Sequence, residues 1–237
     1  MTKRPKAYIL CVLLLLGFVS GRVVQGALQF DPFVGFDGRV HEAGWFPVTF
    51  EIFNDGPSFN AIIEISSGQF GQDQKRHVPI ELPTNTRKRL VVPMFASGGR
   101  FTTQWNARLL TSDGDLVEER LSLPTKIVAW QTTLMGALPG NFGGTPVYPE
   151  VQGNQMAAQP EVARILTDQF PDNPIALEGL NAIYLNSSKA IELNVAQVTA
   201  LLGWVRGGGH LIVSVENPGD VNGTPWLGRF LPAELTA

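Results

Sequence analysis

Two short polar clusters sit where an α/β scaffold would place chemistry. Asn186-Ser187-Ser188 closes the strand-like run Leu180–Asn186, and Glu216-Asn217 follows the apolar run His210–Val215. Residues just beyond the carboxyl ends of parallel strands occupy the usual ligand position of such sheets. Amide, hydroxyl and carboxylate groups on one rim can hydrogen-bond a polar ligand or a partner's loop. Asn186, Ser187, Ser188, Glu216 and Asn217 are therefore the candidate ligand-binding residues. Hydrolysis there would have to use Ser187, Glu216 or Ser214. A serine needs a neighbouring base to become a nucleophile, and no histidine follows His210, which opens its strand at the opposite edge. The plainer alternative is that Asn186, Ser187 and Ser188 only form a turn, while Asn194 caps a helix. No catalytic residue is assigned.

The remaining chemistry-bearing residues are scattered. His41, His77 and His210 have no Cys or His at a metal-ligand spacing, so no metal site is expected. His41-Glu42 reads as a solvated turn. No G-x-S-x-G elbow, H-E-x-x-H pair, Walker-type glycine loop or EF-hand spacing occurs, and no cofactor is implied. Gly207-Gly208-Gly209 follows a helical pattern rather than preceding one, which makes it a helix C-cap and not a phosphate cradle. Lys75-Arg76-His77 and Arg87-Lys88-Arg89 read as solvated strand ends.

The elements that must position these residues fall into two halves. From Leu28 to about Pro124, strand-like runs recur at Pro47–Phe53, Ala61–Ile65, His77–Leu82, Lys88–Phe95, Gln104–Leu110 and Leu116–Leu123. Turn residues such as Asn54-Asp55-Gly56-Pro57 separate them, a pattern that predicts an antiparallel β-sandwich. Trp45 and Trp105 are expected in its core or at its edge. After Pro124 the period changes. Lys126–Leu134 could be the last sandwich strand or the first of a new sheet, and Gly136–Gln159 reads as a long loop. Pro160–Phe170 carries a helical stripe through Val162, Ile165, Leu166 and Phe170. A strand over Leu180–Asn186, a helix from Asn194 to Arg206 and a buried strand over His210–Val215 complete a βαβ unit.

Some of these segments resemble a known family. Gly38-Arg39-Val40, Gly44-Trp45-Phe46-Pro47-Val48, Asn54-Asp55-Gly56 and the later Arg87-Lys88-Arg89 look like the N-terminal immunoglobulin-like domain of large, exported, membrane-anchored bacterial proteins. Leu180–Asn186, with Pro171-Asp172-Asn173-Pro174 before it and Trp204-Val205-Arg206-Gly207-Gly208 after it, is similar to their class I glutamine amidotransferase-like domain. Phe230–Glu234 resembles the point where those proteins continue into further β structure. The resemblance implies an all-β immunoglobulin-like sandwich over 27–125, then a flavodoxin-like α/β domain over 126–237, incomplete at its C-terminus. The chain would then be a fragment or a truncated member. It departs from working amidotransferases in lacking the Cys nucleophile and the downstream His, which implies a pseudoenzyme.

Composition sets the compartment and excludes some partners. Residues 1–26 form a signal peptide pattern: basic Lys3, Arg4 and Lys6, an apolar run Ala7–Val19, then Val24-Gln25-Gly26 before a cleavage point at Ala27. The alternative is an uncleaved anchor. Of 18 basic residues 14 lie beyond this segment, against 21 acidic ones, so the body carries −7. That disfavours nucleic acid as a partner. The single cysteine, Cys11, lies in the signal segment, which excludes disulfides from the exported body. The expectation is a non-catalytic binding or scaffold protein of the cell envelope. It would meet an envelope protein or polar ligand, and a membrane only through an uncleaved signal or a segment outside this chain. A hydrolase, or a purely structural segment of a larger anchored protein, is the alternative.

Overall fold

A computed structural model describes residues 28–68, 74–97, 104–150, 159–230 and 235. The expected signal segment, with Cys11, lies outside them, as do Leu231–Glu234. The first half is built from antiparallel strands. One sheet has the order β1 (Leu28–Val34), β3 (Trp45–Asn54), β6 (Thr86–Phe95). The other runs β5 (Gln74–Leu82), β4 (Phe59–Ser67), β7 (Trp105–Thr111), β8 (Leu116–Leu123). Alternation decides what lies between them. Phe46, Val48, Phe50 and Ile52 of β3 face Ala61, Ile63 and Ile65 of β4 and Trp105, Ala107 and Leu109 of β7 in one buried cluster. Phe46 meets Trp105 edge-on with centroids 5.0 Å apart, joining the two sheets. Trp105 is thus core, whereas Trp45 is half-buried and packs edge-on against Phe95.

Asn54 ties the turns at one end. Its Nδ2 donates to the carbonyls of Pro57 and Leu82 at 3.0 Å, and its Oδ1 accepts from the Gly56 amide. The residue is 3% exposed, so this amide is satisfied by the very turn that the Asn-Asp-Gly-Pro sequence announces.

The segment Lys126–Leu134 serves both halves. β9 (Lys126–Val128) pairs in parallel with β2 (Arg39–His41), and β10 (Leu134–Leu138) begins a new sheet. That sheet has the order β11 (Glu161–Arg164), β10, β12 (Ala182–Asn186), β13 (His210–Ser214), with every neighbouring pair parallel. Between β12 and β13 come helix α1 (Ser187–Glu192) and helix α2 (Val195–Arg206); α3 (Pro218–Asn222) and α4 (Pro225–Gly228) follow β13. Asn194 forms a full capping box with Gln197 at the start of α2, and Gly208, at φ +106°, lies just past its end.

Three expectations fail here, the first being the buried strand over His210–Val215: β13 is an edge strand with no buried residue, and Ile212 and Val215 are 46% and 41% exposed. The predicted helix over Pro160–Phe170 is instead β11, followed by a 3-10 turn at Thr167–Gln169. Its four strand residues pair with Leu134–Ala137, and the Ile165 amide donates to Ala137 O, so pairing overrides the helical stripe. The flavodoxin-like, amidotransferase-like α/β domain is not what forms. The described chain is mostly strand, in several sheets, and α-helices do not alternate with the strands. The β11–β12 connection consists of 3-10 turns at Thr167–Gln169 and Pro174–Leu177, and only β12–β13 carries α-helix. The all-β start remains compatible with the structure.

Candidate functional site

The carboxyl ends of β10, β12 and β13 converge. Asn186 is the last residue of β12, and in the register it pairs with Ser214, the last of β13. Gly140 lies two residues past the end of β10. A Cβ on Gly140 would stand 2.9 Å from both Asn186 Nδ2 and Glu216 Oε2, so these two side chains meet over a glycine that leaves them room. Asn186 Oδ1 is occupied, accepting from the Ser188 amide at 2.9 Å and the Ser188 hydroxyl at 2.7 Å. That fixes the amide orientation and turns Nδ2 toward Gly140 and Glu216.

Ser187 sits beneath this pair, fully buried. Its hydroxyl donates to Asp220 Oδ2 at 2.9 Å and accepts from the Glu216 amide at 3.1 Å. The contacts pin the β13–α3 connection to the start of α1 and hold Glu216 at the rim. The predicted Asn186, Ser187, Ser188 and Glu216 are therefore brought together. Asn217 is not part of the group: its side chain accepts from the Gly219 amide and caps α3. Two residues were missed, Asp220 and Gly140. Neither stands in a recognisable motif, and only the tertiary contacts bring them to this edge.

The histidines are engaged elsewhere. The His41 ring bridges Glu42 O and Thr132 O, each at 3.1 Å, so it is a part-buried residue of β2 and not a solvated turn. His210 lies at the amino edge of the parallel sheet, 3.3 Å from Asn181 O. His77 Nε2 meets Glu64 Oε2 at 2.8 Å on the outer face of the sandwich. There Lys75 at 3.1 Å and Arg108 at 3.7 Å also surround Glu64, a carboxylate with only 7% of its side chain exposed. Lys75 and His77 are exposed residues at the start of β5, as expected, and from there they also hold an acid. Burial is the largest influence on Glu64 and raises its pKa, but hydrogen bonds from His77 and Lys75 with their charges outweigh it, and the net shift is downward. Among the described residues, no group of three or more His, Cys, Asp or Glu could hold a metal ion.

The carboxyl-edge residues form a surface rather than a chamber: Glu216 and Asn217 are exposed. A cavity of about 530 Å³ lies at the opposite edge, lined by Pro174, Trp204, Gly209 and His210 among others. Its distance from the convergent polar groups separates it from the chemistry described above.

Comparison with known proteins places little on this geometry. No curated protein matches the chain. A Niemann-Pick type C2 protein from Japanese carpenter ant is similar to it at 10% identity and a TM-score of 0.30, over 43% of this chain and 92% of that one. A cycloisomaltooligosaccharide glucanotransferase from Paenibacillus sp. shows 11% identity and a TM-score of 0.32, over 79% of this chain and 28% of that one. For a β-glucuronidase of Bacteroides uniformis the values are 11% and 0.26, over 82% of this chain and 24% of that one. Within the sequence itself, residues 27–124, which hold the sandwich, match a family described as a domain of unknown function (DUF8726).

Proposed function

We propose that this protein is a non-catalytic binding or scaffold protein of the bacterial cell envelope, taking a polar ligand or a partner's loop at the carboxyl edge of its parallel sheet. One observation carries the reading. Asn186 Nδ2 and Glu216 Oε2 point at the same small space over Gly140, one a donor and the other an acceptor. Such a pair matches a group that both donates and accepts, such as an amide or a hydroxyl. The serine beneath them is fully buried, held by Asp220 and the Glu216 amide, so a substrate has no access to its Oγ. Export is supported by the basic-then-apolar pattern of Met1–Gly26. Among the described residues no helix is long and apolar enough to cross a membrane.

Thermal shift against a panel of amides, amino acids, sugars and dipeptides tests the binding reading. A ligand that binds only the folded chain raises the melting temperature by mass action. At least one compound should do so for the wild type and not for Asn186→Ala or Glu216→Ala. If both variants respond to every compound as the wild type does, the edge is not a site. Hydrolysis of ester or amide substrates above buffer, abolished by Ser187→Ala, would replace the binding reading with the hydrolase one. N-terminal sequencing of the exported protein should begin at Ala27.

A further inference from the structure

A second feature lies at the junction of the two halves, away from the carboxyl-edge pair and independent of it. A groove of about 400 Å³ runs between β1 and the connection that follows β11. Its walls are apolar, formed by Phe33, Val34, Leu123, Pro124 and Leu166, with Phe33 and Leu166 42% and 46% exposed. One cation enters it, Arg164, from the end of β11.

Arg164 has an unusual environment. Its Nε is buried and has no hydrogen-bond partner. The guanidinium carbon lies 4.4 Å from the ring centroid of Phe142, a cation–π contact that leaves the in-plane donors unused. Among the described residues it makes no ion pair. The acid that lines the same groove, Asp37, is held by Arg39 Nη1 at 2.9 Å. Nε is closed off, but the two Nη groups have no hydrogen-bond or ion-pair partner among the described residues and are the donors an anion in the groove would meet. A largely apolar trough of this volume with a few placed polar groups, here Arg164, Gln169 and the paired Asp37, has the make-up of a small-molecule site.

We propose that this groove binds a small monocarboxylate with an aliphatic body. The carboxylate accepts from Arg164, for which the planar fork of a guanidinium is suited. The hydrocarbon lies along Phe33, Leu123 and Leu166. Charge chooses between occupants of similar shape: an alcohol lacks the anion, and an amine places a second cation beside Arg164.

Octanoate, octan-1-ol and octylamine serve as probes of the full chain, followed by isothermal titration and by saturation-transfer NMR. Octanoate should bind saturably, octanol at least tenfold more weakly, and octylamine not at all. Arg164→Gln should weaken octanoate at least tenfold and leave octanol unchanged. If that variant does not fold, Leu166→Glu provides the second arm. Leu166 is exposed at the groove wall, so the new carboxylate should spare the fold while repelling octanoate at least tenfold. Absence of saturable octanoate binding, equal affinity for octanoate and octanol, or full octanoate affinity in a folded variant overturns the proposal.

Discussion

Replacing Glu64 by Gln isolates the electrostatics of the sandwich face. Glu64 lies on the central strand β4, and its cations come from both neighbours, Lys75 and His77 on β5 and Arg108 on β7. The substitution keeps the shape and removes the charge. Hydrogen bonds to a charged group contribute about 1.5–3 kcal/mol in buried settings. The side chains of Lys75, His77 and Arg108 are 49%, 53% and 43% exposed, so they can turn to water once the acid is gone, and the discounted cost is about 1–2 kcal/mol. In a chain of this size each 1 kcal/mol lowers the melting temperature by roughly 2–4 °C. The sign of the pH dependence follows from the lowered pKa. Glu64 holds less proton when folded than when unfolded, so its contribution is present above its ordinary value of 4.5 and is lost as pH falls through the lower folded value. Urea melts of both proteins at pH 7 and pH 3 read this as a difference between differences. The stability gap should be open at pH 7 and narrower at pH 3. A gap that keeps its size on acidification, or no gap at pH 7, would refute the argument.

Other substitutions probe the site and its supports. Gly140→Ala should cost about 1–2 kcal/mol in urea melts, because its Cβ meets the buried Asn186 amide, held by Ser188, at 2.9 and 3.0 Å and only the Glu216 end is free to swing away, and it should abolish any thermal shift produced by a carboxyl-edge ligand. Gly35→Ala should cost at least about 2 kcal/mol in the same melts, since the residue has φ +68° and its Cβ would fall 2.2 Å from Arg39 O. Gln197→Ala should destabilise by about 2 kcal/mol, more than Asn194→Ala at about 1 kcal/mol, as judged by thermal unfolding. Its amide donates to Thr167 O and Phe170 O in addition to closing the cap. Gly179→Ala would place a Cβ 2.4 Å from Trp45 O across the junction, and calorimetry should show one transition displaced downward rather than a second one appearing.

Legibility in the sequence followed locality. The strands β3 to β8 were readable because each is a short run, alternating in β3 and plainly apolar in the middle of β4, bounded by turn residues such as Asn54-Asp55-Gly56. Helix α2 announced itself through Asn194 and the apolar positions Val195, Val198, Leu201, Leu202 and Val205, but its buried face runs through Gln197, Ala200, Leu201 and Trp204, and Val195 is 84% exposed. Failure came where the deciding partner is remote. Val162, Ile165 and Leu166 have helical spacing, but Glu161–Arg164 lies beside the wholly buried β10, whose backbone groups need a neighbour. β10 itself was missed because Gly136 reads as the start of a loop. In the fold, a Cβ there would strike Ile165 and Leu180 at 2.7 and 2.8 Å, so the glycine marks close packing. The candidate site divides the same way. Asn186, Ser187, Ser188 and Glu216 follow from the rule that sites gather at strand carboxyl ends. Asp220 lies 33 residues from Ser187, with nothing in its own neighbourhood to signal the contact.

The absence of an α-helix between β11 and β12 has a physical cause in the first half of the chain. A crossover helix would have to bury an apolar stripe against the sheet. Here the 3-10 turn Pro174–Leu177 buries Ala176 and Leu177 while packing on β3, β6 and α2, so the sandwich occupies space that such a helix would need. Gly179 then donates to Trp45 O at 2.9 Å, and its missing side chain lets the two backbones approach. Polar contacts lock the same junction: Glu161 receives Arg39 and Lys126, and Arg89 reaches from β6 to Asp168. The parallel sheet therefore owes its placement to the sandwich as much as to its own helices. The groove beside Arg164 exists only because of that docking, since Phe33 and Leu123 come from one half and Arg164 and Leu166 from the other. The carboxyl-edge pair, by contrast, draws on β10, β12, the start of α1 and the β13–α3 connection, all within the second half. Perturbing the junction should consequently alter the groove before it alters the edge.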